Sequence, residues 1–303
     1  MIKTITNGYL QLSVKEAGAE ICSIKSIKSG KEFIWDANPD FWANHAPILF
    51  PIVGALKEGK YKYKGKEYSL PQHGFFRHNE KVKIINNEQN KLSYFLKNDE
   101  ESLKVFPFEF EFFTIYSLVD NRVCIKHQVF NPGNEVLLFS IGTHPAFKCP
   151  INIDETYDDY YLEFEKEENS FRHCIDKGLI GKELKKVFDT KDIGQTNDSD
   201  NRQSIINLHT ELFREDAFVF KDLKSKHITL KSKKSKQSVK ISFDGFPYMG
   251  IWAKPNPPFV CIEPWLGIAD GVDTDQNFEN KEGIIKLDPK EWFNAAYYIE
   301  INE

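Results

Sequence analysis

The chain has 303 residues, of which 41% are hydrophobic and 14% aromatic, enough to build a sizeable core. Its 45 acidic and 40 basic side chains leave a formal net charge of -5, which argues against a dedicated nucleic-acid binder. The N-terminus lacks an apolar signal core, and no segment approaches the roughly 20 apolar residues of a membrane span. Five cysteines without a Cys-x-x-Cys pair predict reduced thiols. We therefore expect a cytoplasmic protein that partners neither nucleic acid nor membrane.

From the N-terminus onward, the pattern is one of short alternating or β-branched stretches separated by turn residues. Residues 99–106 predict a short helix before Pro107, and residues 210–215 predict one more turn. The stretch 60–69 predicts a small exposed hairpin, and the polar stretch 189–202 predicts a surface loop. Strands are predicted over residues 10–14, 21–27, 82–85, 92–96, 110–118, 123–130, 136–141, 160–164, 228–230, 239–243, 248–252, 260–263 and 297–301.

Many strands with few helices favour an all-β sandwich or barrel. No shift in composition marks a linker, so we expect residues 1–303 to form a single domain. The glycine-rich nucleotide patterns, the His-Glu-x-x-His zinc pattern and the Gly-x-Ser-x-Gly hydrolase pattern are all missing from the sequence. The sequence therefore predicts no cofactor and no metal site.

One carboxylate interrupts the most apolar stretch of the chain. Residues 259–265 read Phe-Val-Cys-Ile-Glu-Pro-Trp, and Glu263 is the charged side chain among them. An ionised carboxylate loses several kcal/mol of solvation in an apolar setting unless it is paired. Glu263 is therefore expected either at the solvated end of its strand or on an inner face where a site uses it.

Histidines stand in two similarly unusual settings. His144 lies at the end of a predicted strand, and Pro145 confines its backbone to an extended conformation, which fixes the direction of the imidazole. His73 and Arg77 lie in the glycine-containing, aromatic-edged stretch Pro-Gln-His-Gly-Phe-Phe-Arg. Loops at the rim of a rigid β scaffold are where sites are usually built.

Taken singly, each of these residues has a plainer interpretation as a structural histidine, a surface ion pair or a solvated glutamate. As a set, His144 and Glu263 on one sandwich face form a plausible acid and base for proton transfer. Desolvation would raise the pKa of the glutamate towards neutrality, where a general base works best.

Six segments form an ordered set along the chain. They are His-Ala-Pro-Ile-Leu-Phe-Pro-Ile-Val-Gly at 45–54, Leu-Pro-Gln-His-Gly-Phe-Phe-Arg at 70–77, Gly-Thr-His-Pro-Ala-Phe at 142–147, Glu-Asp-Ala-Phe-Val-Phe at 215–220, Phe-Val-Cys-Ile-Glu-Pro-Trp at 259–265 and Leu-Asp-Pro-Lys-Glu-Trp at 287–292. In this order they resemble the aldose 1-epimerase (galactose mutarotase) superfamily, most closely the mutarotase-like subgroup found beside bacterial lactose and galactose genes. The resemblance covers essentially the whole chain and implies a β supersandwich of large, mostly antiparallel sheets with a sugar cleft on one face.

The resemblance also implies a reaction and a site. The chain would interconvert the α and β anomers of a hexose by ring opening and reclosure, with Glu263 as the general base and His144 as the general acid. The substrate-binding residues it implies are His73, which would hold or polarise the sugar, Arg77 and Asp216, which would bind hydroxyl groups, and Trp252 and Trp265, which would form cleft walls.

One position departs from the family pattern. Many members carry Asn-Arg-Ile in the loop that here reads Val-Gly-Ala-Leu-Lys-Glu-Gly-Lys over residues 53–60, so Ala55 stands in place of an arginine. Arg77, Lys57 or Lys60 could take over its role. A hexose-6-phosphate 1-epimerase is an alternative, although a phosphate would favour several arginines in the cleft.

Two further alternatives come from other classes of protein. One is a carbohydrate-binding sandwich without catalysis, which would not need a base with a raised pKa. The other is a glycoside hydrolase, which needs a second cleft carboxylate within about 5–9.5 Å of the first. Asp216 is the candidate for that second carboxylate.

Overall fold

The computed structural model of the chain describes residues 1–187, 204–255 and 258–303. The loop predicted over residues 189–202 lies outside the described residues. The strands of the N-terminal half are β1 (Ile2–Thr6), β2 (Leu10–Lys15), β3 (Ile21–Ser26), β4 (Ile48–Leu49), β5 (Lys60–Tyr63), β6 (Lys66–Ser69), β7 (Lys83–Glu88), β8 (Lys91–Lys97), β9 (Glu111–Val119), β10 (Arg122–Phe130), β11 (Leu137–Phe139), β12 (Gly142–Thr143) and β13 (Ala146–Lys148). Those of the C-terminal half are β14 (Tyr160–Phe164), β15 (Phe171–Asp176), β16 (Leu179–Lys186), β17 (Ile205–Asn207), β18 (Phe218–Lys221), β19 (His227–Ser232), β20 (Ser238–Ser242), β21 (Tyr248–Trp252), β22 (Phe259–Trp265), β23 (Ile285–Leu287) and β24 (Trp292–Asn302).

The helix predicted over residues 99–106 is present as α1 (Glu100–Val105). Asp99 caps its N-terminus by accepting a hydrogen bond from the Ser102 backbone N–H, and the Ser102 hydroxyl oxygen accepts one from the Asp99 N–H, both at 2.8 Å. Residues 210–215 form hydrogen-bonded turns. No helix in the ranges described above is long and apolar enough to cross a membrane.

Two large antiparallel sheets make up most of the fold, as the sequence predicts. One runs in the order β17-β14-β19-β20-β24-β10-β9-β8-β7, and the other in the order β16-β15-β18-β21-β22-β12-β4 with β13 also paired to β22. Their apolar faces meet in a shared core, where the ring centroids of Phe164 in β14 and Phe220 in β18 lie 6.1 Å apart. The all-β supersandwich is therefore confirmed.

Burial along individual strands shows which faces are covered. In β9, buried and half-exposed residues alternate, which is the pattern of a sheet with one face on the core and the other on solvent. In β22 every residue is buried, so both of its faces are covered. Val260 and Ile262 lie on one face, and Cys261, Glu263 and Trp265 lie on the other. The carboxylate of Glu263 is thus inside the protein and not at a solvated strand end.

The hairpin predicted over residues 60–69 forms from β5 and β6, and it is exposed on one face only: its lysines at 62, 64 and 66 are exposed, whereas Tyr61 and Tyr63 are buried. Tyr61 is 1% exposed, and its hydroxyl donates to the Val105 carbonyl oxygen at 2.8 Å. Its ring packs 4.3 Å from that of Phe278, and Tyr63 packs 4.7 Å from Phe108. Alternating lysines had suggested a solvated hairpin, whereas the alternating tyrosines face the core.

Candidate active site

A cleft of about 290 Å³ opens on one face of the sheet that contains β22. Residues of β15, β16, β18, β21 and β22 line its sheet side, and loops after β3, β4 and β6 line the opposite side. All seven residues that the sequence singled out line this cleft, although their roles remain predictions: Glu263, His144, His73, Arg77, Asp216, Trp252 and Trp265.

Strand register places His144 across from Glu263. Gly142 pairs with Trp265 and Ala146 pairs with Cys261. His144 is midway between Gly142 and Ala146, so it lies opposite Glu263, which is midway between Cys261 and Trp265. The distance from His144 Nε2 to Glu263 Oε2 is 3.3 Å. The backbone N–H of His144 donates to the Pro47 carbonyl oxygen at 3.0 Å, which anchors the histidine to the segment before β4.

Aromatic rings hold the His144 imidazole on three sides. Trp42 stacks on it with centroids 4.7 Å apart and planes inclined by 26°. Trp252 and His73 approach edge-on at 6.0 and 5.8 Å. Trp42 was not predicted as a site residue, although the aromatic pair Phe41-Trp42 stands just before the segment at 45–54. The imidazole plane is therefore fixed by packing, not by a hydrogen bond to Nδ1, which has no partner among the described residues.

Burial dominates the electrostatics of the Glu263–His144 pair. Glu263 is 2% exposed, and desolvation holds its pKa well above the usual value for a carboxyl group. The indole N–H of Trp265 lies close enough to oppose this rise in pKa, but it does not reach hydrogen-bond geometry. Burial lowers the pKa of His144, and the positive charge of Arg77 lowers it further. In the empty cleft these shifts favour a protonated glutamic acid beside a neutral imidazole.

The pair can be described by a single mobile proton. A protonated Glu263 beside a neutral His144 contains as many protons as a carboxylate beside an imidazolium. Transfer of one proton between the two groups would interconvert the two forms without a change in net charge; their nearest atoms are 3.3 Å apart but outside hydrogen-bond geometry. One side chain of the pair can therefore accept a proton from a ligand while the other donates one.

A short loop fixes His73 in a defined tautomer. The Gly54 backbone N–H donates to His73 Nδ1 at 3.1 Å, and the His73 backbone N–H donates to the Gly54 carbonyl oxygen at 2.9 Å. Burial holds the pKa of His73 well below its usual value, with a further contribution from His144 and Arg77. Since Nδ1 accepts a hydrogen bond, the neutral ring carries its hydrogen on Nε2. His73 therefore offers a ligand in the cleft an uncharged N–H donor.

Arg77 and Asp216 bring charge to the more open part of the cleft. Arg77 is half-buried and has neither a hydrogen bond nor an ion pair with any residue of the described ranges. Asp216 is exposed, its φ of 108° is unusual for a residue with a side chain, and its Oδ1 accepts from the Ala217 N–H at 2.6 Å. As far as the described ranges show, the Arg77 guanidinium and the second carboxylate oxygen of Asp216 are available to polar groups of a ligand.

A buried ion pair supports the loop that carries Ala55. Lys281 Nζ lies 3.0 Å from Asp270 Oδ1, and Asp270 Oδ2 accepts from the Lys57 backbone N–H at 3.0 Å. A Cβ on Gly54 would lie only 2.5 Å from the Cβ of Ala269, so the loop that contains Gly54 and Ala55 is in close contact with the segment that follows β22. This contact positions Gly54, and through it the His73 ring.

Two glycines make room for the Trp265 indole. A Cβ on Gly250, in the neighbouring strand β21, would lie 2.5 Å from the ring of Trp265. A Cβ on Gly142, in β12 on the other side, would lie 2.8 Å from the same ring. The indole therefore spreads over both neighbours of β22 and forms a wall of the cleft beside Glu263.

This packing predicts the effect of a single methyl group. Gly250→Ala should lower the free energy of unfolding by roughly 1–3 kcal/mol, because the buried indole must move to relieve the clash. Urea denaturation measures the change. Gly8→Ala is the matched control, since a Cβ there meets nothing within 4 Å and the φ of Gly8 is not positive. Equal unfolding midpoints for Gly250→Ala and wild type would contradict the tight packing of Trp265.

Comparison with known proteins agrees with this architecture. The family model described as aldose 1-epimerase matches residues 1–279. The plasmid-encoded protein LacX of Lactococcus lactis subsp. lactis is 32% identical in an alignment that covers 98% of this chain and 98% of LacX. A galactose mutarotase related enzyme from Lactobacillus acidophilus is 34% identical with a TM-score of 0.90, over 100% of this chain and 98% of that one. A galactose mutarotase-like protein from Lactobacillus casei is 25% identical with a TM-score of 0.89, over 100% of both. The chain belongs to the aldose 1-epimerase family.

Proposed function

We propose that this protein interconverts the α and β anomers of a free aldohexose by general acid–base catalysis. The observation that carries the proposal is the buried Glu263–His144 pair, 3.3 Å apart on the cleft and able to exchange one proton. A protein that only binds sugar has no use for a buried carboxyl group with a raised pKa, because the group costs solvation energy and its Oε2 forms no hydrogen bond with any described residue.

In the proposed mechanism, the Glu263 carboxylate takes the proton of the anomeric hydroxyl while the His144 imidazolium donates a proton to the ring oxygen. The bond between C1 and the ring oxygen breaks, and the sugar becomes a free aldehyde. Rotation about the C1–C2 bond presents the other face of the carbonyl. Reclosure with the proton transfers reversed gives the other anomer and returns the single proton of the pair from Glu263 to His144. The reaction needs no oxidant and no covalent intermediate.

The form that starts the reaction is the charged one, and the sugar itself would stabilise it. In the empty cleft, burial favours the neutral form of the pair. An anomeric hydroxyl that donates to Glu263 stabilises the carboxylate, and a ring oxygen that accepts from His144 stabilises the imidazolium. Transfer of the shared proton from Glu263 to His144 would therefore accompany binding of the correct substrate.

Other residues of the cleft would orient the sugar. The uncharged Nε2–H of His73 can donate to a sugar oxygen without raising the positive charge beside His144. Arg77 offers several N–H donors, and Asp216 offers a carboxylate for hydroxyl groups near the mouth. Trp42 and Trp252 offer apolar surfaces for the C–H groups of a pyranose ring. The volume of about 290 Å³ is small for a ligand pocket and suits one monosaccharide.

The charges of the cleft favour a free sugar over a sugar phosphate. Among the described lining residues, Arg77 is the one side chain that carries a full positive charge. Lys57 Nζ donates to the Val272 carbonyl oxygen at 2.9 Å, and Lys60 Nζ pairs with Glu67 at 2.8 Å, so neither lysine is free to replace an arginine in the cleft. A doubly charged phosphate would face the Asp216 carboxylate with a single arginine to offset both, because the Glu263–His144 pair carries no net charge in either of its forms.

Polarimetry on freshly dissolved α-glucose, α-galactose and glucose 6-phosphate tests this preference. We expect kcat/KM for a free hexose to exceed that for the phosphate at least about tenfold, equivalent to about 1.4 kcal/mol in transition-state binding. The reverse order would support a hexose-6-phosphate 1-epimerase. Saturable sugar binding without faster mutarotation of any of the three sugars would support a binding protein.

A further inference from the structure

A free thiol lies directly beside the proton-transfer pair. Cys261 is two residues before Glu263 in β22, so both side chains project from the same face of the strand. One ligand atom each from Cys261, His144 and Glu263 lies within 4.8 Å of the other two. Cys261 is fully buried and forms no disulfide, and nothing in the proposed mechanism uses it.

Thiolate, imidazole and carboxylate are the three protein ligand types of Zn²⁺, and sites with three protein ligands keep a fourth position open. With metal–ligand distances of about 2.0–2.3 Å, tetrahedral ligand atoms lie roughly 3.3–3.8 Å apart. The Glu263 and His144 atoms already match this spacing at 3.3 Å. The widest separation in the cluster therefore needs to close by only about 1 Å, which side-chain rotations on paired strands can supply.

Charge balance also suits a divalent cation. A thiolate and a carboxylate carry two negative charges, and a neutral imidazole carries none, so a dication makes the buried cluster electrically neutral. Buried charges are tolerated when they are paired or coordinate a metal. The ion would also bind Glu263 Oε2, which is buried and has no hydrogen-bond partner in the described parts of the chain.

An ion can reach this position from the cleft. His144 and Glu263 line the cleft wall, whereas Cys261 lies behind them on the same strand face. The two lining residues would bind the ion from the solvent side, and the thiolate would complete the set from the protein side. The fourth ligand position then points into the space where a sugar would bind.

We propose that His144, Cys261 and Glu263 form a binding site for one thiophilic divalent cation such as Zn²⁺. Binding releases two protons, one from the thiol and the one that the pair shares, so the charge balance is complete. The bound ion occupies both proton-transfer groups and the space of the anomeric centre. It therefore blocks the cleft to sugar, and this inhibitory consequence rests on the proposed function, whereas the binding itself does not.

Direct binding of Co²⁺, a spectroscopic substitute for Zn²⁺, tests the site independently of any activity. Wild-type protein should bind one Co²⁺ with a thiolate-to-metal charge-transfer band in the near ultraviolet, and one equivalent of Zn²⁺ should abolish the band. Cys261→Ser should lose the band and bind Zn²⁺ at least about tenfold more weakly, because a hydroxyl is a poor substitute for a thiolate. Cys261→Ala, which buries no polar group, repeats the test if the serine variant is unstable.

Cys149→Ala is the matched control, since Cys149 is equally buried but lies outside the cluster. It should keep the charge-transfer band and the Zn²⁺ affinity of the wild type. No band in the wild-type protein, or a band that persists without the Cys261 thiol, would overturn the site. Loss of the band in the Cys149 variant, with Cys261 intact, would also overturn it.

The inhibitory consequence has its own readout. Zn²⁺ should raise the apparent KM for hexose without changing kcat, and Mg²⁺, which prefers oxygen ligands, should have no effect at the same concentration. Metal binding without competition against sugar would overturn the inhibitory role and leave the site in place. A protein that binds Co²⁺ through Cys261 but accelerates no mutarotation would contradict the proposed function and not the metal site.

Discussion

Glu263→Gln should lower the rate of anomer interconversion at least about a hundredfold and leave the protein folded, because general acid–base catalysis typically contributes about 10²- to 10⁴-fold. Glutamine keeps the shape of the side chain, so the packing against Trp265 and His144 is preserved. It cannot accept the proton of the anomeric hydroxyl as a carboxylate can. Polarimetry gives the rate, and thermal unfolding reports whether the fold is intact.

The same substitution predicts a pH-dependent change in stability. Burial raises the pKa of Glu263 in the folded protein above its unfolded value. A group of this kind contributes stability that is fully present below the unfolded pKa and is lost as pH rises through the folded pKa. The wild type should therefore lose stability relative to Glu263→Gln as pH rises from the unfolded pKa, about 4.5, towards the raised folded pKa. Denaturant unfolding of both proteins over a pH series that starts below 4.5 measures the difference.

Glu168→Gln provides a contrasting control. Glu168 is fully buried as well, but its carboxylate accepts from the Ser225 N–H at 2.7 Å and the Lys224 N–H at 3.3 Å, and it does not line the cleft. We expect this variant to lose stability and keep its activity. A Glu263→Gln protein with near wild-type activity and normal unfolding would end the assignment of Glu263 as the base.

His144→Asn is the second substitution with a large expected effect, and it should also remove most of the activity. Asparagine cannot donate a proton to the ring oxygen as an imidazolium does. His127→Asn is the matched control, since burial lowers the pKa of His127 to about 3 as well, but the ring lies in β10 against Thr114 and Phe112. The control should lose stability and keep kcat.

The pH dependence separates a lost acid from a lost binding contact. The working pair of the wild type carries one proton, so kcat/KM should fall both at low pH, where the pair holds two, and at high pH, where it holds none. In His144→Asn the residual activity needs the Glu263 carboxylate alone. That activity should rise with pH through the raised pKa of Glu263 and show no alkaline decline. An unchanged kcat with a raised KM would instead assign the acid to another residue, with His73 first in line.

The sequence predicted the fold class and most strands because alternation and turn residues are local signals. The prediction missed the polar strands β15 and β16, and it also missed β1, β4, β12, β13, β17, β18 and β23, each of which is only two to five residues long. It misjudged one face of the hairpin of β5 and β6, because periodicity shows that two faces differ but not which of them meets the core. The side on which Tyr61 packs is decided by Phe278, more than 200 residues away in the chain.

Part of the candidate site could be predicted from the sequence, because a few polar residues stand in apolar or conformationally restricted stretches. Glu263 in an apolar strand and His144 before a proline are such positions, and both line the cleft. The glycine-containing loop of His73 and Arg77 was also visible, and the family resemblance supplied Asp216, Trp252 and Trp265. The stack of Trp42 on His144, the Nδ1 contact that fixes the His73 tautomer and the place of Cys261 beside the pair could not be predicted. Each depends on strands or loops that are distant in sequence and meet only in the folded protein.

The resemblance left open what replaces the family arginine at Ala55, and the contacts of the neighbouring residues answer part of this. Lys57 and Lys60 have partners outside the cleft, whereas Arg77 lines the cleft and has no ion-pair partner within the described ranges. We therefore propose that Arg77 takes the place of the family arginine and binds polar groups of a sugar. That residues 1–303 form a single domain remains a prediction.

The most direct test of the account is the rate of anomer exchange at equilibrium, measured by NMR saturation transfer on glucose and galactose at neutral pH with wild type, Glu263→Gln and Glu168→Gln. The account predicts exchange well above the buffer rate with wild type and Glu168→Gln, and exchange reduced at least about a hundredfold with Glu263→Gln. Exchange at the buffer rate for both sugars with the wild-type protein, or equal acceleration by wild type and Glu263→Gln, would contradict it.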